Sequence, residues 1–339
     1  MTIIDNLKPA SLVSGLIETE DYRDGVRAGI PYVALRGAAD GPQLTALACQ
    51  HGRELNGIES IRRVIAGIDA KRLHGSCVFI PCANPLAVRM RQQDFPHEYG
   101  RYLPGACCFN LNRVWPGNAN GTLYQQMAAA MWEQAVGHAD VCIDLHGWSG
   151  RSASLVWGHR RDAGLVRVFG MDIHMIKHDL SADAPDNGCL ETACFRAGVK
   201  SITAELTPQG MLSERSVQAG ERGILNVMKH LGMLDGEPER PEQQFEFDED
   251  HNECVLTAPF AGLFVCELRL PAPVAKGQAF AKLVDLNDVM HVADIVAPID
   301  GVVFNTGPTW GEATPESSIV DAGERVALIK ACQTRRGSC

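Results

Sequence analysis

Apolar positions along the chain fall into short unbroken runs separated by stretches of helical period. The runs at 30–37, 44–49, 77–81, 141–145, 154–157 and 200–206 are bounded by Gly, Pro, Asn or Asp, so they predict strands. Residues 171–176 alternate and predict another strand. Between them, 57–69, 123–136, 189–197 and 213–231 carry the spacing of helices with one buried face. The turn Ala39-Asp40-Gly41-Pro42 predicts that the first two strands are neighbours. Strands alternating with helices predict an α/β layer structure with a largely parallel sheet.

The pattern changes at Gly236-Glu237-Pro238-Glu239-Arg240-Pro241. Residues 236–250 read as a Pro- and Glu-rich linker, and 251–339 as a small all-β domain of short strands and Gly/Pro turns. Two domains suit a chain of 339 residues, which exceeds a comfortable single core. The repeated Ala-Pro-x-x-Gly at 258–262 and 297–301, with Lys276-Gly277-Gln278 between, resembles the biotinyl-lipoyl half-barrel. Asp288-Val289-Met290 stands where a carrier domain has its modifiable lysine, so the expectation is a structural domain, with the loop 305–317 and Trp310 as candidate lid elements.

Composition narrows the partners. Thirty-one Lys and Arg against 41 Asp and Glu give a net charge of −10, which argues against nucleic acid or an anionic membrane as the main partner. No secretory signal is visible at the start, and no window approaches the roughly 18 apolar residues of a membrane span. The chain has 12 cysteines, several inside apolar runs and none in Cys-x-x-Cys pairs; buried reduced thiols and a cytoplasmic home are expected.

Candidate chemistry gathers where strands end. His51 and Glu54 lie on the turn between a strand and a helix, and Gly52 allows the sharp path between them. His146 ends a central strand and supplies the third donor, because parallel sheets collect ligands at the carboxyl ends of their strands. Two His and one Glu with an open fourth position is the composition of a catalytic zinc site. Asp144, on the same strand face as His146, is either an acceptor orienting that imidazole or a polar residue satisfied by backbone amides. Glu205 ends another strand. Burial near a cation would suit it to take a proton from water and return it to an amine, and a strand-end Glu paired with a surface cation is the alternative. His174 and His178 fall on an alternating stretch and are not expected to be ligands. No phosphate-binding glycine motif or nucleophile elbow occurs.

His51-Gly-Arg-Glu54, Asn84-Pro85, Asn110-Leu-Asn112-Arg113, Pro116-Gly117, Asp144-Leu-His146 and Ala204-Glu205-Leu206 occur in one order over residues 30–235. In this the chain resembles the succinylglutamate desuccinylase/aspartoacylase family, whose fold is similar to that of zinc carboxypeptidases. The resemblance implies a zinc carboxypeptidase-like α/β/α domain over 1–235 followed by the all-β half-barrel domain. It implies one zinc ion on His51, Glu54 and His146, and hydrolysis of an N-acyl amino acid to a carboxylate and a free amine. Glu205 matches the general base and acid, Asn112 and Arg113 the pair holding the substrate carboxylate, and Arg91 the oxyanion partner, with Arg89 and Arg101 as alternatives for that role. Asn110 departs from the Asp common in the family. The two-domain build looks like the subgroup that includes N-acetyl-diaminobutyrate deacetylase, making that compound the candidate substrate. A zinc carboxypeptidase acting on small peptides and a non-catalytic metal-binding module are the rival readings. A homo-oligomer is the expectation for a metabolic enzyme of this size.

Overall fold

The computed structural model describes residues 1–19, 25, 27–94, 110–250, 252–307 and 318–331. Trp310, most of the candidate lid and Arg101 lie outside those residues.

Nine strands form one sheet: β1 (Ser11–Glu18), β2 (Gly29–Arg36), β3 (Ala39–Ala48), β4 (His74–Ile80), β5 (Val141–His146), β6 (Leu155–His159), β7 (Ile173–Lys177), β8 (Lys200–Glu205) and β9 (Phe245–Asp248). Their spatial order is β1-β2-β4-β3-β5-β8-β6-β7-β9, with β4-β3-β5-β8 and β6-β7-β9 running parallel internally and β6 antiparallel to β8. Among the described residues six α-helices accompany it: α1 (Asn56–Gly67), α2 (Pro85–Met90), α3 (Leu123–Gln134), α4 (Ala163–Phe169), α5 (Leu190–Ala197) and α6 (Glu214–His230).

The strand alternation sorts the core into two layers. Leu44, Ala46, Ile143, Leu145, Ile202 and Ala204 pack with Ile61, Phe169 and Ile224 from α1, α4 and α6. Leu47, Val78 and Cys142 point the other way, toward Met127 and Leu190 from α3 and α5. Helix α1 approaches closely: a Cβ on Gly57 would stand 2.7 Å from the Ala48 Cβ and 2.9 Å from that of Leu145. That packing fixes the turn from β3 into α1.

The expected pairing of the first two apolar runs is corrected. β4 lies between β2 and β3, antiparallel to one and parallel to the other. It is buried at every position but His74, so it belongs inside the sheet, while β1 carries the exposed positions of an edge and β2 beside it is half-buried over most of its length. β1 itself was not expected. The connector at 236–250 is also not free chain throughout, since Phe245–Asp248 pairs with β7 and buries Phe245 and Phe247.

His174 on β7 is 2% exposed, beside Gln244 and opposite Glu246. Burial pushes its imidazole down to about 4, with Glu246 and Arg167 acting in opposite directions. A folded value below the unfolded one means that the unfolded chain holds the proton more tightly. The neutral imidazole's contribution is therefore complete above about pH 6.5 and is lost as pH falls toward 4, by about 2 to 3 kcal/mol. Urea midpoints for the wild type and His174→Gln should diverge between pH 7 and 4.5, with the wild type losing more; parallel losses would refute this account.

β10 (Glu253–Thr257), β11 (Gly262–Val265), β12 (Ala272–Val274), β13 (Ala279–Val284), β14 (Val292–Val296), β15 (Gly301–Thr306), β16 (Ile319–Val320) and β17 (Arg325–Ala331) make two four-stranded sheets, β10-β17-β15-β12 and β14-β13-β11-β16. Each Ala-Pro-x-x-Gly carries the chain from one sheet to the other. Its glycine is required by a close approach, since a Cβ would stand 2.4 Å from the Val284 oxygen at Gly262 and 2.4 Å from the Lys330 oxygen at Gly301. We propose that 251–339 is a separate β domain. It meets the large sheet just beyond His146: Ala153 N donates to Phe304 O at 2.8 Å, Thr306 N to Arg151 O at 2.9 Å, and Asn305 Nδ2 to Ser152 Oγ at 2.9 Å.

Candidate active site

β3 and β5 are parallel neighbours, so their carboxyl ends bring the 49–55 turn beside His146. The turn is tightly held. Cys49 takes φ +56 with its Sγ donating to Glu54 O at 2.9 Å, and its carbonyl accepts from Asn84 N. Gly52 is needed for another reason than a sharp path: its φ is not positive, but a Cβ would stand 2.3 Å from the Ala87 carbonyl carbon and 2.5 Å from the Gln92 oxygen.

His51, Glu54 and His146 are buried, and one donor atom from each lies within 4.8 Å of the others. The two Nδ1 atoms bracket the carboxylate, His51 at 3.0 Å from Oε1 and His146 at 3.0 Å from Oε2. Each Nε2 faces an oxygen on its outer side. That of His51 is 3.1 Å from Asn110 Oδ1 and that of His146 is 2.9 Å from Asp144 Oδ2. This is the arrangement in which outer acceptors fix the tautomer, leaving both Nδ1 lone pairs for a cation. Asn110 therefore keeps an acceptor in the place of the family's Asp while losing its charge.

The electrostatics are those of a cluster needing positive charge. Burial raises the Glu54 carboxyl, but the His51 and His146 imidazoles outweigh it and hold it at about 2. Burial opposes charge on His146, yet Asp144 and Glu54 lift it well above the usual imidazole range. A bound divalent cation would supply that charge and leave both rings neutral.

Glu205 ends β8 in register with His146 on one side and Leu155 on the other. Burial pushes its carboxyl up to about 8, and its Oε2 has no hydrogen-bond partner among the described residues. The loop after it is pinned by Asn56, whose Nδ2 donates to Leu206 O and Pro208 O.

Gln50 escaped the sequence reading. Fully buried, it donates through Nε2 to Asp144 Oδ2 at 2.8 Å and accepts from Trp115 Nε1 at 2.7 Å. Its only signal was adjacency to His51. Asn84 caps α2 through Ala87 N and donates to Gln50 O and Tyr124 Oη, so Asn84-Pro85 is a brace. Asn112 Nδ2 lies 3.3 Å from His146 Nε2, and its Oδ1 accepts from Leu190 N. Arg113 is exposed and donates to Asn112 O and Cys189 Sγ. Arg91 is not brought to the cluster by any described contact. It ends α2 with φ +55, its backbone N–H donating to Val88 O and its side chain exposed, as is that of Arg89.

The succinylglutamate desuccinylase/aspartoacylase catalytic domain matches residues 40–231, more than half of the chain. The chain belongs to this family. As a member it is a hydrolase of linear amides. The N-alpha-acetyl-L-2,4-diaminobutyric acid deacetylase of Halomonas elongata is 26% identical over 302 residues, covering 86% of this chain and 82% of the relative. Two solved structures share the fold. The product-bound ectoine utilization protein EutE (DoeB) of Ruegeria pomeroyi has a TM-score of 0.73 at 22% identity, covering 96% of this chain and 98% of that one. A succinylglutamate desuccinylase/aspartoacylase of Rhodobacter sphaeroides has a TM-score of 0.72 at 20% identity, with the same coverages.

Proposed function

We propose that the chain is a zinc-dependent deacylase of N-acyl amino acids. The observation that carries this is the buried His51, Glu54 and His146 cluster with the Glu205 carboxyl beside it, whose Oε2 has no partner among the described residues. The donor set fits one zinc ion, since two Nδ1 atoms and a carboxylate converge and each outer nitrogen has an acceptor. When bound, zinc supplies Lewis acidity that polarises the acyl carbonyl and lowers the pKa of water.

Glu205 takes the proton from the attacking water and passes it to the departing amine. Its burial raises its proton affinity toward the range in which one carboxyl can do both. Asp144 holds the His146 ring, and Gln50 with Trp115 holds Asp144. Arg113 and Asn112 grip the substrate carboxylate, the guanidinium offering a two-pronged donor. Arg91 is our assignment for the oxyanion donor, on a helix whose cap is tied to Gln50. N-acetyl-diaminobutyrate enters as a substrate through the Halomonas relative. A cytoplasmic home is supported by eight free cysteines among the described residues, and a homo-oligomer is part of the same proposal. No described helix is long and apolar enough to cross a membrane.

Chelated protein should be inert toward N-acetyl and N-succinyl derivatives of diaminobutyrate, ornithine, aspartate, glutamate and arginine. Adding about one equivalent of zinc should release amine from at least one of them. Cleavage of plain dipeptides in preference to all of these would favour the carboxypeptidase reading.

A further inference from the structure

Next to Glu205 in the strand register, on the same face of the sheet, the two parts of the chain line an open cleft of about 440 Å³. Strand alternation establishes the shared face. Asp144 and His146 continue the side of Cys142, and Leu155 stands opposite Glu205 in the β6–β8 register, with Cβ atoms about 5 Å apart. Trp157 lies two residues along β6, and Met175 is its register partner on β7. Leu155, Trp157 and Met175 therefore extend sideways the floor on which Glu205 and His146 sit. Phe304 of β15 and Leu328 of β17 form the roof. The near edge is Trp148, two residues after His146, whose carbonyl accepts from Gln209 N in the loop that follows Glu205.

Most of the exposed wall surface is apolar, from Trp148, Leu155, Trp157, Met175, Phe304 and Leu328. Ser149, Ser152, Gln209 and Asn305 add polar atoms, with Gln209 Oε1 unpartnered among the described residues, and the charged groups are already engaged. Lys177 pairs with Glu191 at 3.2 Å and lies 3.3 Å over the Trp157 ring. Lys330 pairs with Glu253, and Arg325 is likewise engaged. Among the described residues the one acid in the lining is Glu253, which is paired with Lys330, so a cationic amine entering the cavity would find no unpaired carboxylate there. An acetyl group or a short polar side chain would leave most of the volume unfilled. Trp148 and Phe304 put aromatic surface on the lining, and the Trp157 ring, capped on one face by Lys177, adds a third.

We infer that this cavity is the specificity pocket of the deacylase and takes a bulky aromatic group of the N-acyl amino acid. The inference rests on the deacylase reading above. The same ring chemistry arises from an aromatic amino-acid side chain or from an aromatic acyl group, and the two are separated by choice of substrate.

The full-length, zinc-loaded protein is assayed with N-acetyl-L-tryptophan, N-(phenylacetyl)glycine, N-acetylglycine and N-acetyl-diaminobutyrate. At least one aromatic substrate should exceed both small ones in kcat/KM by about tenfold or more. Met175→Trp and Leu328→Trp fill the cavity from floor and roof. Whichever of the two keeps the wild-type melting temperature should lose most of that preference, with N-acetylglycine turnover within about twofold of wild type. Turnover of a small substrate with no aromatic preference, or a preference indifferent to both fillings, overturns the pocket and leaves the deacylase reading standing. If no N-acyl amino acid is hydrolysed, both fall together.

Discussion

Replacing Glu205 by Gln lowers kcat by about 10²- to 10⁴-fold with little change in KM, the range attributed to a positioned proton-transfer group. The substitution keeps the shape of the side chain and removes only its ability to carry a proton between water and amine. Glu205 is not in the ligand cluster, so zinc content should stay at about one per chain. Its neighbours also argue for a clean result. The carboxyl sits at a strand end in register with His146, one oxygen unpartnered, so no described hydrogen bond to Oε2 is broken. Single-turnover assays alongside metal analysis read this directly. Unchanged turnover at full zinc occupancy would leave a metal-binding module whose buried carboxyl has no part in chemistry.

His146→Ala removes both zinc and activity, and it also weakens the metal-free fold. The imidazole stands between two buried carboxylates, Glu54 at 3.0 Å from Nδ1 and Asp144 at 2.9 Å from Nε2. Without it those carboxylates face each other across a small cavity with little to offset their charge. Breaking a buried pair in this way costs about 3 to 5 kcal/mol. Metal analysis should find zinc near zero per chain, and urea unfolding of the metal-free forms should show the variant less stable. Full zinc retention would mean that His51 and Glu54 bind the ion without their partner on β5, and would undo the ligand set.

The grouping of His51, Glu54 and His146 was readable because each stands at a punctuation mark of the chain. His51 and Glu54 follow an apolar run and precede a helical period, and His146 closes a run of its own. In a parallel sheet such ends share one edge, so local pattern was enough to group residues nearly a hundred positions apart. Gln50, Trp115 and Asn56 were not readable. Each acts through one or two hydrogen bonds to a distant segment, and an amide or an indole next to a motif looks the same whether or not such a bond exists. β9 escaped for a related reason: its Phe-Glu-Phe-Asp alternation follows directly on a Pro- and Glu-rich stretch whose composition suggests a connector.

The sequence by itself determined most of the strands and helices of the large sheet, though not β1, β9, α2 or α4, and which donor atoms stand at the ends of β3, β5 and β8. These follow from side-chain period and from residues that stop an element, which act within a few positions. Tertiary structure alone decided that β4 enters between β2 and β3 and that β9 joins the large sheet. It also decided that β15 and β17 roof the floor beside Glu205. Those outcomes depend on which buried faces match across long separations in sequence, a choice settled by packing, and no single stretch of chain contains it.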